Sequence, residues 1–212
     1  MIGRWIGIVA AAAVLLSGSL PSQAGNPARR EGSARLVYGI EWGYDATVLE
    51  AHHYNYTDSE DGFRIDESAA RPMLYSNAHA TAHLTVEFAG HWALGLYAGY
   101  AGIQERTRMF PFALRSTYHS GSFREDGSFC FLEGGAGLHE TRSSVSPYGR
   151  LGYGYRLILG GRTSMDFSGS LRMTFDHPPI YDNSIPGYIP QENIRRSDAL
   201  YGALCLSVAL NF

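Results

Sequence analysis

Eight charged residues, Arg35, Glu41, Glu87, Glu133, Arg150, Arg156, Asp166 and Arg172, each fall on the polar phase of a segment in which every second residue is apolar. Charges gathered inside a closed sheet can relay protons or gate ions, or they can pair with one another and fill the space. Both signs are present in equal number, which favours pairing, because an unpaired buried charge carries a large desolvation penalty. With a turn centred near Gly161, Arg156 stands opposite Asp166 and Arg150 opposite Arg172. The first pair is complementary. The second needs a carboxylate between its members, and Glu41, at similar depth, is expected to supply it.

Other reactive side chains are less well arranged for chemistry. His79 and His83 are four apart, which on a strand is roughly 13 Å, too far to share one tetrahedral metal ion. His52 and His53 are adjacent and point to opposite faces of a strand. Asp58-Ser59-Glu60-Asp61-Gly62 lacks the ligand spacing and distal Glu of a calcium loop and reads as solvated charge. Acyl transfer would need a Ser and a His on one wall. His119 and Ser122 differ by three positions and Ser120 by one, so both hydroxyls face away from His119, with Glu133 beyond. No catalytic residue, metal or cofactor is therefore expected. Tyr181, Ile185, Tyr188 and Ile189 sit in a proline-stiffened loop, His177 to Asp198, expected either to bind an external surface or to fold over as a lid.

The elements that carry these residues follow from the distribution of apolar side chains. The 212-residue chain is 45% hydrophobic and 13% aromatic, yet past its first residues it has no run long enough for a spanning helix. Apolar content that rich and that interrupted must be spread by alternation, which means strands. Residues 201–212 give Gly202, Leu204, Leu206, Val208, Leu210 and Phe212 on one face, against Tyr201, Ala203, Cys205, Ser207, Ala209 and Asn211 on the other. Similar alternation predicts strands over Arg35 to Thr47, Tyr75 to Phe88, from Trp92, from Ser128 to His139, from Arg150 and from Met165. A weaker one, between Met109 and Phe123, is assigned by counting. The long acidic stretch Ala51 to Pro72 reads as a loop. Inward glycines, such as Gly95, Gly135, Gly152 and Gly154, are expected to make room for Arg and Tyr side chains. Cys130 should face outward and Cys205 inward, on strands that are not neighbours, so both are expected as free thiols.

Met1 to Arg4 is basic, Trp5 to Leu16 apolar, and Pro21-Ser22-Gln23-Ala24 offers small residues for cleavage, so residues 1–24 read as a secretory signal peptide cut near Ala24. Residues 25–33 form a polar periplasmic lead, and residues 34–212 the folded domain. The formal net charge is −3 and the basic residues are scattered, which argues against nucleic-acid binding.

A secreted chain of eight alternating strands ending on Phe212 resembles the small bacterial outer-membrane β-barrels, such as the transmembrane domain of outer-membrane protein A. The resemblance covers residues 34–212 and implies an all-β, eight-stranded antiparallel up-and-down barrel in the outer membrane. It implies lipid and lipopolysaccharide as surroundings, barrel-assembly machinery as a partner, a monomer, and Phe212 as part of the assembly signal. The functional expectation is a structural or surface-binding barrel without catalysis. The alternatives are a lipid-modifying enzyme of the lipid A deacylase or acyltransferase type, and a soluble periplasmic lipocalin-like barrel. A deacylase would place His and Ser two residues apart on one strand. A lipocalin would turn its apolar face inward.

Overall fold

In the computed structural model, which describes residues 34–58, 62–88, 90–104, 107–140, 144–182 and 187–212, the chain is built from strands. The expected signal peptide and periplasmic lead lie outside the described residues. The strands are β1 (Arg35–Thr57), β2 (Arg64–Phe88), β3 (Trp92–Gln104), β4 (Thr107–His119), β5 (Gly127–His139), β6 (Val145–Gly160) and β7 (Thr163–Asp176). A two-residue hairpin, β8 (Tyr181–Asp182) with β9 (Gly187–Tyr188), and a 3-10 turn at Gln191–Asn193 precede β10 (Ile194–Asn211). Eight of these close into an antiparallel ring in the order β1-β10-β7-β6-β5-β4-β3-β2. The all-β, eight-stranded up-and-down barrel expected from the alternation is the observed fold.

The ring closes where β1 meets β10, with Gly39 opposite Asn211 and Tyr44 opposite Leu206. Phe212 finishes the seam. Its N–H donates to Tyr38 O at 2.8 Å, and its ring stacks on that of Tyr38 at 5.8 Å. This end of the barrel also carries the β2–β3, β4–β5 and β6–β7 turns, and it is called the short-turn end below. The β6–β7 turn uses Gly161 at φ 59, in the left-handed region where a side chain is disfavoured.

Alternation fixes which face is which. Ile40, Leu151, Leu171 and Leu206 stand on the outside at 54–70% exposure, whereas Glu41 on the inside is 1% exposed. An ordinary soluble domain puts its apolar residues in and its charges out; here the arrangement is inverted around the whole ring. The outward set includes Trp42, Tyr153, Tyr155, Phe112 and Phe167, and the lipocalin-like alternative, whose apolar face points inward, is contradicted. Cys130 is exposed, Cys205 is buried, and both are free.

Four boundaries differ from the expectation, among them the start of β6 at Val145 instead of Arg150, and one cause serves two of them. The stretch 51–72 is not a loop: β1 and β2 stay paired from Leu49↔Pro72 to Thr57↔Arg64. Between Thr47 and Leu49 the register with β10 shifts, Thr47 pairing Ala203 and Leu49 pairing Gly202, so Val48 is an extra residue. Such a bulge exchanges the two faces: Glu41, Asp45 and Thr47 are inward before it, Glu50 and His52 after it. The strand loses its phase there but not its pairing. β10 likewise starts at Ile194 instead of Tyr201, because its first residues pair with the same extension, Tyr56 opposite Ile194. The weak fourth strand ends at His119, followed by a turn in which Asp126 Oδ1 accepts the Ile158 N–H at 2.7 Å.

Beyond the ring, β2, β1 and β10 continue as a three-stranded extension whose cross-strand contacts are polar. Arg71 Nε donates to Glu50 Oε2 at 3.0 Å, and Asn55 Nδ2 to Asp66 Oδ2 at 2.8 Å. His53 Nε2 lies 2.8 Å from Asp66 Oδ1, and that contact holds the Asp66 carboxyl below its ordinary range. Among the described residues β3 pairs with β2 only from His79 to Phe88, so Pro72 lies on an edge where its missing N–H is tolerated.

Candidate functional site: the barrel interior

The interior is a stack of ion pairs, each anchored by the inward phase of two or three strands. At the short-turn end Arg156 of β6 grips Asp166 of β7 with two nitrogens, Nε to Oδ1 at 2.8 Å and Nη2 to Oδ2 at 2.9 Å, and gives Nη1 to Glu87 Oε1 of β2 at 2.9 Å. The pair sits directly across the ladder, Arg156↔Asp166. Arg35 lies at the rim, with a nitrogen 3.9 Å from Glu87 Oε2 and another donating to the Arg162 carbonyl at 3.1 Å.

At mid-height stands a residue that the sequence reading left out of the network. Arg115 of β4 donates from Nη1 to Glu41 Oε2 at 2.6 Å and from Nε to Glu133 Oε2 at 2.7 Å. Its guanidinium is packed between the rings of Tyr97 and Phe131, 3.8 and 4.3 Å from their centroids. Arg150 brings Nη1 to Glu41 Oε1 at 2.7 Å, Nε to Ser170 at 2.6 Å and Nη2 to Ser207 at 2.6 Å. Glu41 of β1 thus joins two guanidiniums from the far wall, on β4 and β6, the two strands that flank β5. Its position between Arg150 and Arg172 is corrected: Arg172, although opposite Arg150 in the ladder, gives Nη1 to Asp45 Oδ2 at 2.8 Å and Nη2 to the Gly102 carbonyl at 2.8 Å. Asp45 is two inward positions further along β1, past Gly43, which brings it to Arg172. Its other oxygen holds His79 Nδ1 at 2.9 Å. The available signal for Arg115 was its place on the inward phase with Thr117 and His119, obscured by the weak outer alternation of β4.

The glycines make room mainly for rings and for methionine rather than for arginine. A β carbon on Gly152 would run into Phe131, one on Gly154 into Phe129, and one on Gly137 into Met109, while Gly95 does lie against Tyr97. Phe131 in turn supports Arg115. Gly152→Val is therefore expected to lower stability by about 1–3 kcal/mol through overpacking, measured as a shifted urea midpoint of the refolded barrel.

Above the charges an apolar layer of Ile103, Met109, Tyr148, Ala199 and Tyr201 is buried across the lumen. Beyond it lies a second set that the sequence reading did not assemble: Ser146 Oγ donates to Asp176 Oδ1 at 2.8 Å and lies 2.6 Å from His139 Nε2, itself 3.1 Å from Asp176 Oδ1. These types recur in acyl-transfer triads, but there the carboxylate holds the far imidazole nitrogen and the hydroxyl gives its proton to Nε2. Here both partners meet the same nitrogen and the hydroxyl donates to the carboxylate, which makes the set a clasp between β5, β6 and β7. His119 packs on Phe123 and Phe129, and Ser120 Oγ bonds to Ser128, so the structure does not bring His119, Ser120 and Glu133 together.

In the loop after β7, Tyr181 and Tyr188 are exposed and meet edge to face at 5.7 Å, whereas Ile180 and Ile189 are buried beneath them, bonded Ile189 N to Ile180 O at 2.9 Å. The loop combines an outward aromatic ridge with an inward apolar anchor. Ile185 lies outside the described residues.

No protein-family model matches the sequence, and no curated protein matches it at a significant level. Solved structures similar to the chain include the outer membrane protein OprG from Pseudomonas aeruginosa, at TM-score 0.48 and 11% identity, covering 85% of this chain and 98% of that chain. Neisserial surface protein A gives TM-score 0.38 and 11% identity, covering 85% and 99%. The outer membrane protease OmpT from Escherichia coli gives TM-score 0.38 and 8% identity, covering 92% and 99%. All three are outer-membrane β-barrel proteins.

Proposed function

We propose that this chain is an integral outer-membrane β-barrel whose ion-paired, occluded interior makes a rigid pedestal, and whose polar β1–β2–β10 extension and Tyr181/Tyr188 ridge face outward as a structural or binding surface. One observation carries the reading: the closed ring is apolar on its outside all the way round, while its charged residues are gathered and paired in its interior. A band of exposed apolar side chains that continuous far exceeds what a soluble monomer tolerates, and lipid is the solvent it fits. With side chains filling the lumen, as an eight-stranded ring permits, transport through it is not the role. Lipids and lipopolysaccharide surround the wall of a single barrel, and insertion depends on the assembly machinery.

The reading is tested by fractionation. The protein is expected to stay with outer-membrane vesicles after urea washing and to show heat-modifiable migration on a gel; release into the periplasmic fraction contradicts it. Phe212→Ala removes the stack on Tyr38 at the closing seam and, in the proposed assembly role, the terminal aromatic. It is expected to reduce the inserted fraction strongly, read by the same gel, and unchanged insertion would sink that role.

A further inference from the structure

We propose that the barrel interior holds ordered water, about two molecules, at His83 Nε2 and at Glu87 Oε2 near the short-turn end. Both residues are on the inward phase of β2, 7% and 4% exposed, and both line a cavity of about 30 Å³. Each aims into it an atom that meets no protein hydrogen-bond partner. His83 has its Nδ1 3.2 Å from Thr85 Oγ1 and its ring stacked on Tyr97 at 4.8 Å, so the imidazole is held and Nε2 cannot turn to another partner. Gly39 lies so close to Nε2 that a β carbon there would displace it. Glu87 spends Oε1 on Arg156, while Oε2 is 3.9 Å from Arg35, beyond hydrogen-bond reach.

The chemistry of the two atoms selects the ligand. Glu87 Oε2 is an acceptor, and His83 Nε2 accepts in one tautomer and donates in the other, since the Thr85 hydroxyl can serve Nδ1 either way. An anion offers Glu87 no donor. A metal cation is opposed by Arg115 and Arg156, which line the same cavity and already match the carboxylates. Water, both donor and acceptor, serves both atoms. A polar cavity keeps a water for roughly each 10–15 Å³ of occupied volume, so about two fit. On the side facing mid-barrel the cavity is lined by Arg115, whose guanidinium is held between Tyr97 and Phe131.

The test is a crystal structure of the whole barrel at a resolution that shows ordered solvent, alone and as His83→Leu and His83→Gln. Solvent peaks within about 2.7–3.2 Å of His83 Nε2 and Glu87 Oε2 are expected, with the peak at position 83 lost in His83→Leu. Should that variant not fold, His83→Gln, whose amide oxygen still accepts, is expected to keep it. The proposal is overturned if the two side chains are found bonded to protein groups with no solvent between, or if the peaks give an anomalous signal after soaking in rubidium chloride, which would identify a cation.

Discussion

Replacing Arg115 with methionine is expected to cost the barrel about 3–5 kcal/mol of unfolding free energy, the largest effect of any single substitution considered. The change leaves Glu133 and one oxygen of Glu41 buried without the cation that compensates them, and it empties the slot between Tyr97 and Phe131. Arg150 still holds the other Glu41 oxygen, so Glu133 is the group left most exposed to the loss. Adding Glu133→Gln to Arg115→Met should then recover part of the deficit, because removing both members of a buried pair is far less harmful than removing one. Urea titration of refolded barrel in lipid vesicles, followed by gel mobility, measures each step. Equal stability of the wild type and Arg115→Met would mean that Arg115 does not bridge the two carboxylates.

Arg156→Asp and Asp166→Arg, each alone, are expected to destabilise by a few kcal/mol, since each puts like charges together in the lumen. The double reversal should recover only part, with a coupling on the order of 0.5–3 kcal/mol. The reason lies in the third member: Glu87 also bonds Arg156, so a carboxylate at position 156 faces it even when position 166 has been reversed. Glu87→Gln added to the double reversal removes that repulsion and should raise stability further, whereas in the wild type the same change lowers it. A coupling near zero would show that Arg156 and Asp166 are not across from each other.

Period-two patterning made most of the ring legible because each strand face is of one kind. β6 is the clearest case, with Leu151, Tyr153, Tyr155 and Leu157 out and Arg150, Gly152, Gly154 and Arg156 in. Patterning fails where a residue is added to a strand. Val48 exchanges the faces of β1, and beyond it both faces are polar, so a paired strand from Leu49 to Thr57 looked like an acidic loop. The local pairing of Arg156 with Asp166 could be read across a tight turn, but contacts across the lumen could not. Whether Glu41 or Asp45 reaches Arg172 depends on the stagger of strands far apart in sequence, and Ser146, His139 and Asp176 come together for the same reason. Arg115 was hidden by its own strand, whose outer residues alternate least clearly.

If the apolar face of the ring meets lipid, the tryptophans on that face must sense the acyl chains. Beyond the N-terminal Trp5 the chain has only Trp42 and Trp92, both on that face, with Trp42 46% exposed. In the barrel without residues 1–24, refolded into vesicles whose acyl chains carry bromine, tryptophan fluorescence is expected to be strongly quenched and insensitive to aqueous iodide. Quenching by iodide with no effect of brominated lipid would place the apolar wall in water and contradict the account.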